Sequence, residues 1–189
     1  VDMDVDRYQY TGQQKLVYTN NSPETLDRVY YHLFFNAFQP GSEMDVRSRT
    51  IPDADPRVGS RIAALQPNEI GYLHVSNVKQ DGKALLANEE GTILVVKLAK
   101  VLEPGQSTTL ELDFNGQLPV QVRRSGRNNA EGVALSMTQW YPKMAEFDKY
   151  GWNTSPYIAR EFHGVWGDFD VEITIDKDYT IGGTGYLQH

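Results

Sequence analysis

Four histidines, His32, His74, His163 and His189, are the side chains best suited to bind a metal or move a proton near neutral pH. No two of them stand four residues apart, the spacing by which one helix face presents two imidazoles to zinc, and no His-Glu-x-x-His run occurs. His32 and His74 fall in stretches that read as strands, where a hydrogen-bonded structural histidine is the expectation, although pairing across a sheet would bring two such rings together. The absence of cysteine removes thiolate catalysis, disulfides and cysteine-bound zinc at once. No Gly-x-Ser-x-Gly turn is present to raise a serine nucleophile. Carboxylates are plentiful, but acid and base pairs depend on a separation in space that spacing along strands does not reveal, so most read as solvated outer faces. No catalytic residue and no metal ligand are assigned.

Aromatic residues are the next candidates. Trp140, Tyr141, Trp152 and Trp166 stand near chain-reversing residues, where rings either stack on a sugar or peptide or pack against the core or a second domain, with packing the stronger expectation. The compact basic run Arg123, Arg124 and Arg127 lies among Ser125, Gly126, Asn128 and Asn129 and reads as a solvated loop. The triplets Asn20-Asn21-Ser22 and Asn153-Thr154-Ser155 fit the glycosylation sequon and are read as chance matches.

The elements that would position these residues are strands. Val1, Met3 and Val5 alternate with Asp2, Asp4 and Asp6, the period of a strand with one buried face. Strand signals continue at residues 14–19, 28–35, 72–78 and 93–98, the last apolar enough to be buried on both faces. Leu110, Leu112 and Phe114 alternate with Glu111, Asp113 and Asn115, residues 133–138 form a short candidate, and residues 169–176 place Phe169, Val171, Ile173 and Ile175 on one face. Turns are expected at Asn20 to Pro23, Asp81-Gly82 and Glu103 to Gln106. Between residues 36 and 68 the periodicity fails, which predicts a long irregular loop, either an interface or a surface excursion pinned by Arg to Asp pairs, with any short helix in residues 52–66. The fold class is all-β, a sandwich.

The 189 residues suit one domain, and 40% hydrophobic with 23% charged residues is an ordinary globular balance. A net charge of −7 argues against nucleic acid as a partner. No apolar run is long enough to be a transmembrane segment. The chain opens on Val1, not an initiator methionine, and reads as an excised piece whose targeting segment was trimmed.

Three segments carry a resemblance that composition does not: Thr138-Gln139-Trp140-Tyr141-Pro142-Lys143, residues 161–171 from Glu161 through Trp166 and Phe169 to Val171, and residues 178–185 from Asp178 to Gly185. With the earlier Tyr31 to Phe38, this resembles the N-terminal domain of aminopeptidase N-like gluzincin zinc metallopeptidases, particularly bacterial members. The resemblance implies a saddle-like antiparallel β-sandwich over residues 1–189, followed by a catalytic domain of the same chain that binds zinc and lies beyond this sequence. It implies that this domain is inactive alone, packs on the catalytic domain and borders the cleft for a peptide substrate, in an exported, periplasmic or cell-envelope enzyme. In that family a loop glutamine helps to hold the substrate's free amino end. Gln139 matches it, and Tyr141 stands where a second polar or acidic residue follows, although a phenol does not supply the anionic partner that an ammonium group prefers. The other reading open to such a chain is a free-standing carbohydrate- or protein-binding sandwich module.

Overall fold

The computed structural model describes residues 1–160 and 162–188. Glu161, within the second resemblance segment, and His189 therefore lie outside the described residues. In chain order the strands are β1 (Asp2–Asp4), β2 (Gln9–Thr19), β3 (Leu26–His32), β4 (Tyr72–Gln80), β5 (Lys83–Ala84), β6 (Ala87–Glu90) and β7 (Ile93–Leu102). They continue with β8 (Ser107–Gln117), β9 (Gly126–Arg127), β10 (Leu135–Ser136), β11 (Lys143–Met144), β12 (Phe147–Asp148) and β13 (Gly151–Trp152). Helix α1 spans Glu43–Thr50, with 3-10 turns at Phe34–Ala37 and Ile62–Ala64.

The architecture is all-β and sandwich-like. One antiparallel sheet has the order β1-β2-β8-β4-β5, the other β11-β3-β7-β6, and two small hairpins, β10-β9 and β12-β13, stand beside them. Each strand turns alternate side chains inward: Tyr10 from β2, Leu73 and Val78 from β4, and Leu110, Leu112 and Phe114 from β8 meet Val29 and Tyr31 from β3 and Leu94, Val96 and Leu98 from β7 in one core. In β7, Ile93, Leu94 and Val96 are buried and Val95 half-buried, as the unbroken apolar run predicts. Polar outer residues such as Thr11, Gln13 and Lys15 account for the alternation in β2.

The predicted turns supply the backbone that the hairpins need. Asp81 and Gly82 both have positive φ and join Gln80 to Lys83 as a two-residue hairpin whose twist matches its strands. Pro104 and Gly105, with Gly105 at φ +76°, turn the chain from β7 in one sheet to β8 in the other while Gln106 N–H donates to Glu103 at 3.0 Å.

Four expectations change. The helix lies at Glu43–Thr50, upstream of residues 52–66, because the Ser42 hydroxyl accepts from Asp45 N–H at 3.2 Å and Pro52 stops the chain one residue past the extended Ile51. The irregular stretch is no surface excursion: Met44, Val58 and Ile62 are fully buried, while Arg49 reaches in to the buried Asp45 and Arg57 pairs with Asp55. The strand expected over residues 28–35 ends at His32, where the chain winds into the 3-10 turn that buries both Phe34 and Phe35.

The fourth change concerns residues 169–176, which form no strand beyond a one-residue bridge. Thr174 exchanges backbone bonds with Val1 and Met3 at 2.7 and 2.9 Å, and Val1 donates to Glu172 at 2.7 Å. A strand needs an edge to pair with, and three-residue β1 offers little, so Phe169, Val171 and Ile173 stay exposed.

Candidate functional site

The segment carrying Gln139 and Tyr141 is laid across β2 and fastened from beneath. The Tyr10 hydroxyl donates to the Trp140 carbonyl at 2.6 Å, and the Gln14 amide donates to the Pro142 carbonyl at 2.9 Å. The Ser125 hydroxyl lies 3.1 Å from the Thr138 carbonyl, so the turn after Val122 holds the segment from its other end. Beyond it, Lys143 and Met144 pair with His32 and Tyr31 and close the second sheet. Carbonyls at 138, 140 and 142 are thus committed to the scaffold.

Gln139 adopts φ +52°, a left-handed backbone that turns the chain out of line between Thr138 and Trp140. Its side chain is half-buried and hydrogen-bonds to nothing among the described residues. It borders a crevice that Phe34, Phe38, Arg123, Arg124 and Tyr157 also line, with room for about one water molecule. Tyr141 is placed elsewhere. Its ring meets Trp140 edge-on at 5.3 Å and Phe169 at 6.0 Å, it does not line the crevice, and burial pushes its phenol pKa up, so it stays neutral. The two candidate residues are therefore neighbours in sequence whose side chains meet different surroundings.

The basic run is not a solvated loop. Arg127 is buried, its guanidinium 4.1 Å above the Tyr8 ring and donating to the Asn68 carbonyl. The Arg123 side chain is 7% exposed, with Nε 3.7 Å from Asp55 and a guanidinium nitrogen 3.4 Å from the Tyr157 hydroxyl. Only Arg124 is exposed. Asp55 is held by the hydrogen bonds from Arg57, which lower its pKa to about 2 against the opposing effect of burial, with Arg123 adding a smaller electrostatic pull. Pattern reading missed Arg123 because Ser, Gly and Asn neighbours signal a turn and carry no trace of what the turn folds onto.

The histidines stay apart. His32, stacked on Phe34 at 5.1 Å, places Nε2 3.1 Å from the Asn153 carbonyl, while burial lowers its pKa and Nδ1 is buried with no hydrogen-bond partner among the described residues. His74 sits in the other sheet with Nδ1 2.9 Å from Glu89, and His163 lies 3.1 Å from Glu146. Among the described residues no group of three or more His, Asp or Glu side chains is placed to hold a metal ion. Zinc does not fit the described residues.

The tryptophans form no common platform. Trp140 packs edge-on to Tyr10 at 6.1 Å, Trp152 is enclosed by Tyr30 and Phe147 at 5.6 and 5.3 Å, and Trp166 is fully exposed. An open groove of about 350 Å³ runs along Asp148 to Ser155, does not include Gln139 and, among the described residues, contains no histidine or lysine to act as a base toward its hydroxyl groups. Among the described residues no helix is long and apolar enough to cross a membrane.

No family model matches the chain, and no curated protein matches it. Solved structures that do match are zinc metallopeptidases. A mutant of a two-domain M1 zinc metallopeptidase bound to L-arginine is 17% identical, with a TM-score of 0.43 over 74% of this chain and 24% of that one. An M1 zinc metallopeptidase from Deinococcus radiodurans is 16% identical, with a TM-score of 0.41 over 69% of this chain and 22% of that one. This chain thus spans less than a quarter of the length of those it resembles.

Proposed function

We propose that this chain is the N-terminal, non-catalytic domain of an aminopeptidase N-like gluzincin zinc metallopeptidase of a bacterium, exported to the periplasm or cell envelope. The supporting observation is Gln139. It lies in the segment that resembles the family's substrate-facing loop, on a backbone clamped at both neighbouring carbonyls, with its amide free to meet an incoming group. Clamping a loop before the ligand arrives lowers the entropy lost on binding, which is what a specificity loop at a cleft edge requires. Zinc, the general base and the attacking water would belong to a catalytic domain of the same chain, against which this domain packs.

The test compares this chain with its full-length parent on a panel of aminoacyl and peptide reporter substrates, each with and without zinc. Hydrolysis by the zinc-loaded parent alone is the expected result. Hydrolysis by neither overturns the peptidase reading, and hydrolysis by this chain alone overturns the assignment of a non-catalytic domain.

A further inference from the structure

The crevice beside Gln139 is poorly suited to an ammonium group and well suited to the opposite charge. Arg123 and Arg124 line it together with Gln139 and Tyr157. Among the described residues the carboxylate paired with Arg123 is Asp55, which is already bound by both branches of Arg57 at 2.9 and 2.7 Å and stands off at 3.7 Å from Arg123. Arg57 and Arg123 therefore both draw on Asp55, although the protein as a whole carries a net charge of −7. The Arg123 side chain is more than nine-tenths buried, and its Nε finds no hydrogen-bond acceptor among the described residues. Such a donor, desolvated but unmatched, gains most from an anionic oxygen.

We propose that this crevice receives a carboxylate group of a peptide, one oxygen entering the water-sized space between Arg123 and Gln139. The guanidinium supplies the charge and the Gln139 amide the orienting donor. A peptide carries such a group on an acidic side chain or at its C-terminus. This names a ligand for the loop discussed above and rests on that reading for the peptide, but it is tested on this chain alone, so either can fail without the other.

Isotope-labelled protein is titrated with sodium acetate, with sodium chloride and with methylammonium chloride at matched ionic strength, following the Arg123 Nε–H and Gln139 side-chain amide resonances. Saturable shifts with acetate alone are expected. Equal, unsaturable shifts with chloride and acetate, or a response to methylammonium only, overturn the proposal. Two peptides then separate the sources, one amidated at its C-terminus with a single Glu, the other free at its C-terminus and lacking acidic side chains; saturation by either supports the site, and by neither overturns it. Arg123→Gln should weaken acetate binding by about tenfold. Because Arg123 is buried, Asp55→Asn serves as a gain-of-affinity variant: removing the competing carboxylate should tighten acetate binding roughly threefold or more, and unchanged or weaker binding in a folded Asp55→Asn protein overturns the proposal.

Discussion

Tyr10 on β2 lies directly across from Gly116 on β8, its ring so close that a Cβ on the glycine would stand 2.3 Å from a ring carbon. The relationship repeats two residues on, where Gly12 faces Phe114 and an added Cβ would again stand 2.3 Å from the ring. Each glycine gives an aromatic ring the space to lie flat over the opposite strand, and Tyr10 must lie there for its hydroxyl to reach the Trp140 carbonyl. Gly116→Ala and Gly12→Ala should each lower stability by about 1–3 kcal/mol through overpacking. Urea unfolding midpoints measure this, and Gly116→Ala should also loosen the 138–142 segment, seen as faster amide exchange there than in Gly12→Ala.

Asn36 links the two sheets. Its amide donates to the Gly91 carbonyl at the β6 to β7 turn at 3.0 Å, and its carbonyl accepts from Leu73 N–H on β4 at 2.7 Å. Asn36→Ala leaves the buried Leu73 N–H without its partner, while the Gly91 carbonyl can turn to water, so a loss of about 1–3 kcal/mol is expected, whereas removing the exposed Asn88 should change stability by roughly 0.5 kcal/mol or less.

Acid should weaken the fold in two windows. Burial holds the folded His32 pKa below its ordinary 6.5, so just below pH 6.5 the unfolded chain takes a proton that the folded one does not. Stability therefore falls as pH drops below 6.5 and levels off once pH passes the folded value; His32→Gln should flatten this part of the curve. Asp55 acts lower: its folded pKa of about 2 lies under the ordinary 3.8, so its contribution is full above 3.8 and disappears as pH falls through about 2. Denaturant midpoints of the protein and of Asp55→Asn against pH distinguish the two.

Ser42 caps α1 and also donates its hydroxyl proton to the Ala37 carbonyl at 2.7 Å. Ser42→Ala should cost about 1–2 kcal/mol, and Ser42→Gly should restore little, because the bond to Ala37 is lost in both.

In the full-length parent, Gln139→Ala should reduce kcat/KM by about tenfold while leaving the melting temperature unchanged, since the side chain hydrogen-bonds to nothing among the described residues. An unchanged kcat/KM would remove Gln139 from the substrate site.

The sequence by itself determined the fold class, because period-two alternation at Val1 to Asp6 and at Leu110 to Asn115 reports which face of a strand meets the core, and because Asp81-Gly82 and Pro104-Gly105 carry their turn conformations in their own covalent geometry. It also singled out Gln139 as a candidate through a local resemblance. Partners distant along the chain were decided only by tertiary structure. The same alternation at Phe169 to Asp176 formed no ladder, since a strand exists only where another strand's edge is free to pair. Arg123 and Arg127 looked solvated because burial of a guanidinium depends on what lies over it, here Tyr157 and Asp55 for one and Tyr8 for the other. Tyr141 was parted from Gln139 for a comparable reason: a left-handed residue at 139 breaks the simple alternation of sides, so two residues of one short segment face different neighbours.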